Sequence, residues 1–376
     1  RHAMAYPDMA PATRMPSITT SVSCRNLTLN TGSTLTLGSA GTLNIAGTLA
    51  NTGTFTNTAT VNFNGTGGQQ TFSGVSSFFN LTLNNSAGLL LPSAIVLAGN
   101  LTISAGTLVA NNFNIAIAGN WTNNVSPSAF TAGTATVTFN GITAQTIGGT
   151  FVTSFNNFTV AGTSNTVTLN ANANIAGNLS VSSGTLDLST FSANRATAGG
   201  TLTVANNATL KIGGTNTYPT NYTTNTLVVA STIEYSGTNQ TVANQLYGNL
   251  TVSSSSGAAI KTFPSTALTV VGNLSSNLGA GTSVSYTAGS NITVNGNVSI
   301  GASTTFNASS FSHSIGANWV NNGVFNGSSS TITFTGPGST VSGTGTQNFN
   351  NLTIAASSIV FSANSISLTG NLATTG

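Results

Sequence analysis

The chain has 376 residues but only six lysines and arginines and three aspartates and glutamates. Charged residues make up 2% of it, against about 25% in an ordinary soluble domain. The acids are Asp8, Asp187 and Glu234, and the histidines are His2 and His313. General acid–base pairs, carboxylate metal cages and activated nucleophiles all need several such groups close together. The composition therefore predicts a protein that is not an enzyme and has no cofactor.

The same composition argues against two classes of partner. The sequence pI is about 9.3, but six scattered cations are too few to form a phosphate-binding patch, so we expect no nucleic acid. Hydrophobic residues make up 39% of the chain and come in short alternating runs. None of these runs approaches the roughly 18 apolar residues of a membrane span, so the sequence predicts no transmembrane segment.

The first predicted element is an extended N-terminal arm at residues 1–20. All three methionines and several prolines fall in its first 17 residues, and proline favours an extended backbone over a helix. We predict that the arm pairs with the sheet edge of a neighbouring copy by β-augmentation. The alternative is a tail produced by processing. The predicted assembly residues of the arm are Tyr6, Pro7, Met9, Pro11 and Met15.

Residues 21–376 form the second predicted element, a repetitive body. The six-residue segments GTLNIA, GTLANT, GTFTNT and ATVNFN follow one another from residue 41 to residue 64. Each reads as one short strand with a glycine or asparagine corner, because alternation of apolar and polar residues is the period of a half-buried strand. Three such strands would make a coil of roughly 18–22 residues, and the body would hold roughly 18 coils.

A longer marker also recurs along the body. It consists of an aromatic residue or cysteine, an asparagine and an alternating triplet, and it occupies residues 24–29, 78–83, 155–160, 247–252 and 349–354. The distance between copies grows along the chain. A solenoid tolerates this, because an added coil lengthens a unit without changing the cross-section. We therefore predict an all-β fold, a right-handed parallel β-solenoid (β-helix) with short rungs. The alternative is a string of tandem β-sandwich domains.

The solenoid hypothesis assigns roles to residue types. Leucine, valine, isoleucine and phenylalanine should stack inward, and threonine and serine should face outward. Asparagines at the corners should form ladders with the asparagine of the next coil and can adopt left-handed conformations. The last repeat, TGNLATTG at 369–376, has no polar or helical cap, so we expect the C-terminal end to be uncapped and open to pairing.

A few side chains stand out as candidate sites. Trp121 and Trp319 replace the leucine of the Gly-Asn-Leu marker in AGNWTNN (118–124) and GANWVNN (316–322). Core packing is the main interpretation of both, and a platform for glycan stacking is the alternative. Cys24 occupies the aromatic position of the first marker and is predicted to be a buried thiol. Asp187 and Glu234 lie far apart in the sequence without a third partner.

Over residues 21–376 the Gly-Asn-Leu-Thr, Asn-Trp-Thr-Asn-Asn and Thr-Phe-Asn-Gly patterns resemble the repeat regions of secreted bacterial surface proteins. These include filamentous-haemagglutinin-like and autotransporter-passenger-like β-solenoids. The resemblance implies an extracellular or cell-surface location and a structural or adhesive class of function. It implies no catalytic residue.

Together these observations predict a non-enzymatic extracellular structural protein, a self-assembling subunit of a surface filament or coat. Its partners would be copies of itself. The alternative is an adhesin stalk or passenger that binds glycans or a host surface. A divergent polysaccharide-active enzyme is a third hypothesis.

Overall fold

The computed structural model describes residues 16–276, 281–363 and 365–375. The fold is all-β and consists of parallel stacked coils that form a β-solenoid of about 17 turns. This confirms the predicted fold class. The sandwich alternative is wrong, because strands pair in parallel with strands of the neighbouring coils, as Leu43 does with Val61 and Val61 with Leu81. None of the described residues forms a helix that is long and apolar enough to cross a membrane.

A typical coil contributes one strand to each of three faces. Face 1 is a single sheet that runs the length of the described solenoid. Its strands, in chain order, are Ser21–Cys24, Thr42–Ile45, Thr60–Phe63, Asn80–Asn84, Leu101–Ala105, Trp121–Asn123, Gln145–Gly148, Thr166–Leu169, Thr185–Asp187, Thr209–Ile212, Thr232–Tyr235, Asn249–Val252, Leu274–Ser276, Val298–Ile300, Trp319–Asn321, Ser339–Ser342 and Ile359–Phe361.

Face 2 follows face 1 in each coil and is divided into four separate sheets. Its strands are Leu27–Leu29, Leu49–Asn51, Phe72–Ser73, Leu89–Leu90, Leu108–Val109, Phe130–Thr131, Thr153–Phe155, Ala173–Ile175, Ala193–Asn194, Gln240–Thr241, Ala258–Thr262, Ser283–Thr287, Thr304–Asn307, Val324–Asn326, Gln347–Phe349 and Ile366–Leu368.

Face 3 precedes face 1 in each coil and is divided into three sheets. Its strands are Ser17–Ile18, Thr34–Leu37, Thr54–Asn57, Ser77–Phe78, Ile95–Leu97, Ile115–Ile117, Thr136–Phe139, Asn157–Val160, Leu179–Val181, Gly199–Val204, Tyr222–Leu227, Leu246–Tyr247, Leu268–Val270, Ile292–Val294, Ser312–Ile315, Thr331–Phe334, Asn351–Ile354 and Leu372–Thr374.

The six-residue segments near the start of the body form four successive strands, as the sequence predicts. They occupy Thr42–Ile45, Leu49–Asn51, Thr54–Asn57 and Thr60–Phe63, and so pass from face 1 around the coil and back to it. The apolar residue of each alternating pair points inward. Leu43, for example, is 2% exposed. Burying one such side chain contributes about 1.5–3 kcal/mol, so the stacked columns supply the core.

The longer marker does not mark a fixed place in the coil. Its leucine or phenylalanine lies on face 2 at Leu27, on face 1 at Leu81 and Leu250, and on face 3 at Phe158 and Leu352. The expectation that successive units lengthen by whole added coils is therefore wrong. The marker is a corner asparagine followed by a strand, and this combination fits any of the three corners.

The marker asparagine has a defined role in the structure. Asn80 accepts a hydrogen bond from the backbone N–H of Asn100 at 2.7 Å, and Asn100 accepts one from Asn120 at 2.8 Å. Asn249 and Asn273 begin a second ladder of this kind. The predicted ladders are thus confirmed.

The left-handed conformations fall on other asparagines. Positive φ is found at Asn111, Asn112, Asn207 and Asn221, which are not part of those two ladders. The asparagines of those two ladders therefore act through their side-chain oxygens, whereas Asn112 combines a φ of 66° with an oxygen that accepts the N–H of Thr134 at 2.8 Å.

The N-terminal boundary differs from the prediction. Ser17 and Ile18, which the sequence assigned to the arm, pair with Thr36 and Leu37 and belong to face 3. The predicted assembly residues Tyr6, Pro7, Met9, Pro11 and Met15 lie outside the described residues.

Candidate functional site

Charged residues of the described body concentrate in one part of the solenoid. Between residues 187 and 261 lie Asp187, Arg195, Lys211, Glu234 and Lys261, while Arg25 lies apart in the first described coils. We call residues 187–261 the central segment. Face 2 is interrupted there, because no strand lies on it between Ala193–Asn194 and Gln240–Thr241. The central segment is therefore distinct in both composition and backbone, and it is the candidate functional site.

One acid of the central segment forms an ion pair with a cation, and the other acid lies in strand register with the same cation. On face 1 Asp187 pairs in register with Lys211, and Lys211 pairs with Glu234. Lys211 Nζ lies 3.4 Å from Asp187 Oδ2, and the two side chains are 36% and 20% exposed. The prediction that these two acids have no third partner is therefore wrong for Asp187, which pairs with Lys211. An ion pair this exposed stabilises by at most about 1 kcal/mol.

Each acid also accepts a hydrogen bond. Asp187 Oδ1 accepts the backbone N–H of Ser189 at 2.8 Å, and Ser189 has a φ of 51°. Asp187 therefore closes a tight turn, which is a common use of a short acidic side chain. Glu234 Oε1 accepts the hydroxyl of Ser253, one coil further on, at 2.5 Å. Both carboxylates are engaged in holding the backbone or adjacent coils.

Buried glutamines form a recurring corner at three places along the solenoid. Gln70, Gln145 and Gln240 each accept a backbone N–H from the glycine five, four or three residues earlier, at 2.8, 2.9 and 2.8 Å. Each amide nitrogen donates to carbonyl oxygens of the preceding coil, as Gln145 does to Ile117 at 3.0 Å. We call these three sites the glutamine corners. The glycine of each corner ends a segment of similar sequence, VNFNG (61–65), VTFNG (137–141) or IEYSG (233–237). The loops from glycine to glutamine differ in length but form the same bonds.

The third glutamine corner holds a lysine where the others hold an asparagine. Asn85 donates to Gln70 Oε1 at 3.1 Å, and Asn165 donates to Gln145 Oε1 at 2.8 Å. At Gln240 the donor is Lys261 Nζ, at 2.5 Å.

The ammonium group of Lys261 is fully enclosed by this corner. Lys261 is 0% exposed, and Nζ also donates to the carbonyl oxygens of Gly237 at 2.7 Å and Thr238 at 2.9 Å. Three oxygen acceptors match the three donors of an ammonium group. Burial lowers the pKa of Lys261 to about 8, although the charge of Glu234 opposes this shift.

Tyrosines fill the core beside the corner. Ala243 N–H donates to Tyr235 Oη at 3.0 Å, Tyr247 O–H donates to Ala243 O at 2.7 Å, and the two hydroxyls lie 3.1 Å apart. Because the Tyr247 proton is used on Ala243, Tyr235 donates to Tyr247. Burial raises the pKa of Tyr235 to about 12, despite these hydrogen bonds. The pair is a closed hydrogen-bonded ring inside the core.

An open groove of about 380 Å³ lies on face 2 at the edge of the central segment. Ser154, Asn174, Asn194 and Arg195 are among the residues that line it. The Arg195 guanidinium donates to the carbonyl oxygens of Ala176 and Gly177, and its Cζ lies 6.0 Å from the centre of the Tyr222 ring. Nε also donates to Thr197 O at 3.3 Å, so three of the five guanidinium N–H groups are used within the protein.

The two tryptophans lie elsewhere, and the structure decides between their two interpretations. Trp121 and Trp319 are both 0% exposed. Trp121 Nε1 donates to Thr153 Oγ1 at 3.1 Å, and Trp319 Nε1 donates to Gln347 Oε1 at 2.8 Å. The glycan-stacking prediction is wrong, because neither ring has a face that a sugar could reach. Both tryptophans are core residues.

The tryptophan marker carries further structural contacts that sequence reasoning missed. Asn124 accepts the N–H of Thr150 at 3.1 Å, and Asn322 accepts that of Thr344 at 3.0 Å. The residue before each threonine is a glycine with a φ of 112°, and a Cβ at Gly149 would lie 2.2 Å from Asn123 O. The asparagine pair of each marker thus contacts a Gly-Thr pair in the next coil. The local sequence motif does not contain this relationship, because the two pairs are far apart in the chain.

Cys24 and His313 are two further ionisable residues that lie partly or fully inside the solenoid. Cys24 is half-buried rather than fully buried, and this burial raises the pKa of its thiol. His313 is 2% exposed, and its Nδ1 accepts the N–H of Ile292 at 3.2 Å while Nε2 lies 2.9 Å from Ala308 O. Burial lowers the pKa of His313.

Within residues 16–276, 281–363 and 365–375, no three His, Cys, Asp or Glu side chains are grouped so that they could hold a metal ion. The arrangement of the central segment is one in which each ionisable group bonds to a neighbouring coil or to its own turn. No family model matches the chain, and neither a curated protein nor a solved structure matches it.

Proposed function

We propose that the protein is a non-enzymatic structural rod of the extracellular space or cell surface, and that its copies associate into a filament or coat. One observation carries the proposal. The chemically capable side chains of the central segment, Asp187, Lys211, Glu234 and Lys261, are all used to join adjacent coils or to close a turn. This use supports a mechanical role for the whole solenoid.

The surface supports association between copies. Charge is nearly absent, so electrostatic repulsion between rods is weak. Apolar side chains also point to solvent on strands of the body: Leu246 on face 3 is 62% exposed and Ile260 on face 2 is 55% exposed. Exposed apolar side chains of this kind are covered when a second copy packs on them. We propose that copies meet side by side along faces 2 and 3.

Size-exclusion chromatography with light scattering and negative-stain electron microscopy test the proposal. The intact protein should form assemblies that grow with concentration. Leu246→Lys should give smaller species, because a charge would be buried between neighbouring copies. Ser23→Lys is the control, since Ser23 is exposed on face 1 and should leave association unchanged. A monodisperse monomer at high concentration would overturn the filament proposal.

The groove beside Asn174 supports a second candidate, an adhesin stalk that binds glycans. Hydroxyl and amide groups of Ser154 and Asn174 line its floor. A glycan array tests this candidate. A signal that is lost in Asn174→Ala but kept in Asn348→Ala, a change in another polar groove, would favour it.

A further inference from the structure

The glutamine corner at Gln240 is built differently from its two counterparts. At Gln70 and Gln145 the group that donates to the glutamine oxygen is an asparagine amide, which is not a nucleophile. At Gln240 it is the primary amine of Lys261. Asparagine already satisfies this position twice in the same protein, so hydrogen bonding alone does not require a lysine there.

We propose that Lys261 and Gln240 form an intramolecular isopeptide bond that covalently joins two adjacent coils. Lys261 Nζ attacks Cδ of Gln240, the Nζ–Cδ bond forms and the Cδ–Nε2 bond breaks. One proton passes from Nζ to the departing Nε2, which leaves as ammonia. The step is an amide exchange and needs no oxidant, reductant or co-reactant. It goes beyond the proposed structural function.

The reacting atoms are already close. Gln240 and Lys261 are paired in register on neighbouring strands of face 2, and both side chains are buried, at 4% and 0% exposure. Nζ lies 2.5 Å from Oε1. Since a carbonyl bond is about 1.2 Å long, Nζ is no farther than about 3.7 Å from Cδ. This is near the separation of about 3–3.5 Å at which a nucleophile is poised to react.

The surroundings favour the charge changes of the reaction. The N–H of Gly237 donates to Oε1 at 2.8 Å and would stabilise the oxyanion of the tetrahedral intermediate. Nε2 donates to the carbonyl oxygens of Ile212 at 3.0 Å and Asn216 at 2.9 Å. The same oxygens can accept hydrogen bonds from the departing ammonia.

The amine can also reach its reactive form. Only neutral Nζ is a nucleophile, and burial lowers the pKa of Lys261 to about 8. The carbonyl oxygens of Gly237 and Thr238 hold its N–H groups and so fix its position beside the amide.

Intact-mass measurement of the purified full chain tests the proposal directly. The protein should weigh less than its sequence by one ammonia molecule. Lys261→Asn, which copies the other two glutamine corners, should have its full sequence mass. An unmodified mass after prolonged incubation at pH 9 would overturn the proposal.

Digestion of the denatured protein with trypsin locates the change. An acylated Lys261 is not cleaved, so the C-terminal product should begin at Ile212 and contain both residues. Denatured Lys261→Arg is the control and should be cut after residue 261. Loss of ammonia through cyclisation at an Asn-Gly pair gives the same mass but leaves Lys261 cleavable. Cleavage after Lys261 in the wild type would therefore sink the inference.

Discussion

Trp319 donates its indole N–H to Gln347 in the interior of the solenoid, across a distance of 2.8 Å. The two residues belong to different faces, and Phe325 and Phe349 pack around the indole with ring centres 4.8 and 5.8 Å away. The bond satisfies the polar atom of a large ring that would otherwise be buried without a partner. The indole is thus held by one aromatic cluster and one hydrogen bond.

Replacement of Trp319 should lower the free energy of unfolding even when the new residue is leucine, which other copies of the Gly-Asn-Leu marker have at this position. We expect Trp319→Leu to destabilise the protein by about 3 kcal/mol, because it leaves a cavity among phenylalanines and leaves Gln347 Oε1 without its donor. Chemical denaturation measures this change. Val320→Thr, an outward change on the same strand, is the control and should shift stability by less than about 0.5 kcal/mol. Equal effects of the two variants would contradict the assigned role of Trp319.

The asparagine ladders should depend on an acceptor oxygen and not on the amide group as a whole. Asn100 Oδ1 accepts the N–H of Asn120. Asn100→Ala should destabilise by about 1–2 kcal/mol, because that N–H loses its partner, whereas Asn100→Asp retains the acceptor and should cost less. Thermal unfolding at neutral pH compares the two. If alanine and aspartate are equivalent, the ladder bond contributes nothing.

His313 should make the protein less stable in acid. Its folded-state pKa lies below the usual 6.5, so the unfolded chain binds more protons as pH falls through that range. Stability is therefore full above about pH 6.5 and is lost as pH falls towards the folded-state pKa. The physical reason is burial, which disfavours the charged imidazolium, while the hydrogen bond to the carbonyl oxygen of Ala308 opposes the shift.

Melting temperatures between pH 4 and pH 8 measure this effect. The acid-side decrease should be flattened in His313→Gln, whose side chain does not titrate in this range. An unchanged slope in the variant would assign the decrease to another group.

Asp187 should contribute more through its turn than through its charge. Asp187→Asn removes the ion pair with Lys211 but keeps an oxygen for the Ser189 N–H, so we expect a loss below about 1 kcal/mol. Asp187→Ala also removes the acceptor of the Ser189 N–H, and Ser189 has a positive φ. This variant should therefore lower the free energy of unfolding by about 1 kcal/mol more. Denaturation at low and high salt separates the contribution of the ion pair from that of the turn, since only the ion pair is screened by salt. A larger effect of asparagine than of alanine would reverse this assignment.

The sequence by itself determined the strand period, the solenoid and the inward residues. Alternation in segments such as 41–64 allows only one face of each strand to be buried, and the short repeat allows only stacked coils. The asparagine ladders were also predictable, because a corner asparagine recurs before a strand whichever face that strand joins.

Only the tertiary structure decided which distant residues meet. Register across coils places Lys211 between Asp187 and Glu234, and loops of different length bring Lys261 to Gln240 as Asn165 comes to Gln145. Coil length varies, with 18 residues separating Asn44 from its ladder partner Asn62 and 26 separating Asn120 from Thr146. Because no fixed period relates one coil to the next, contacts between side chains depend on pairing that the linear spacing does not encode.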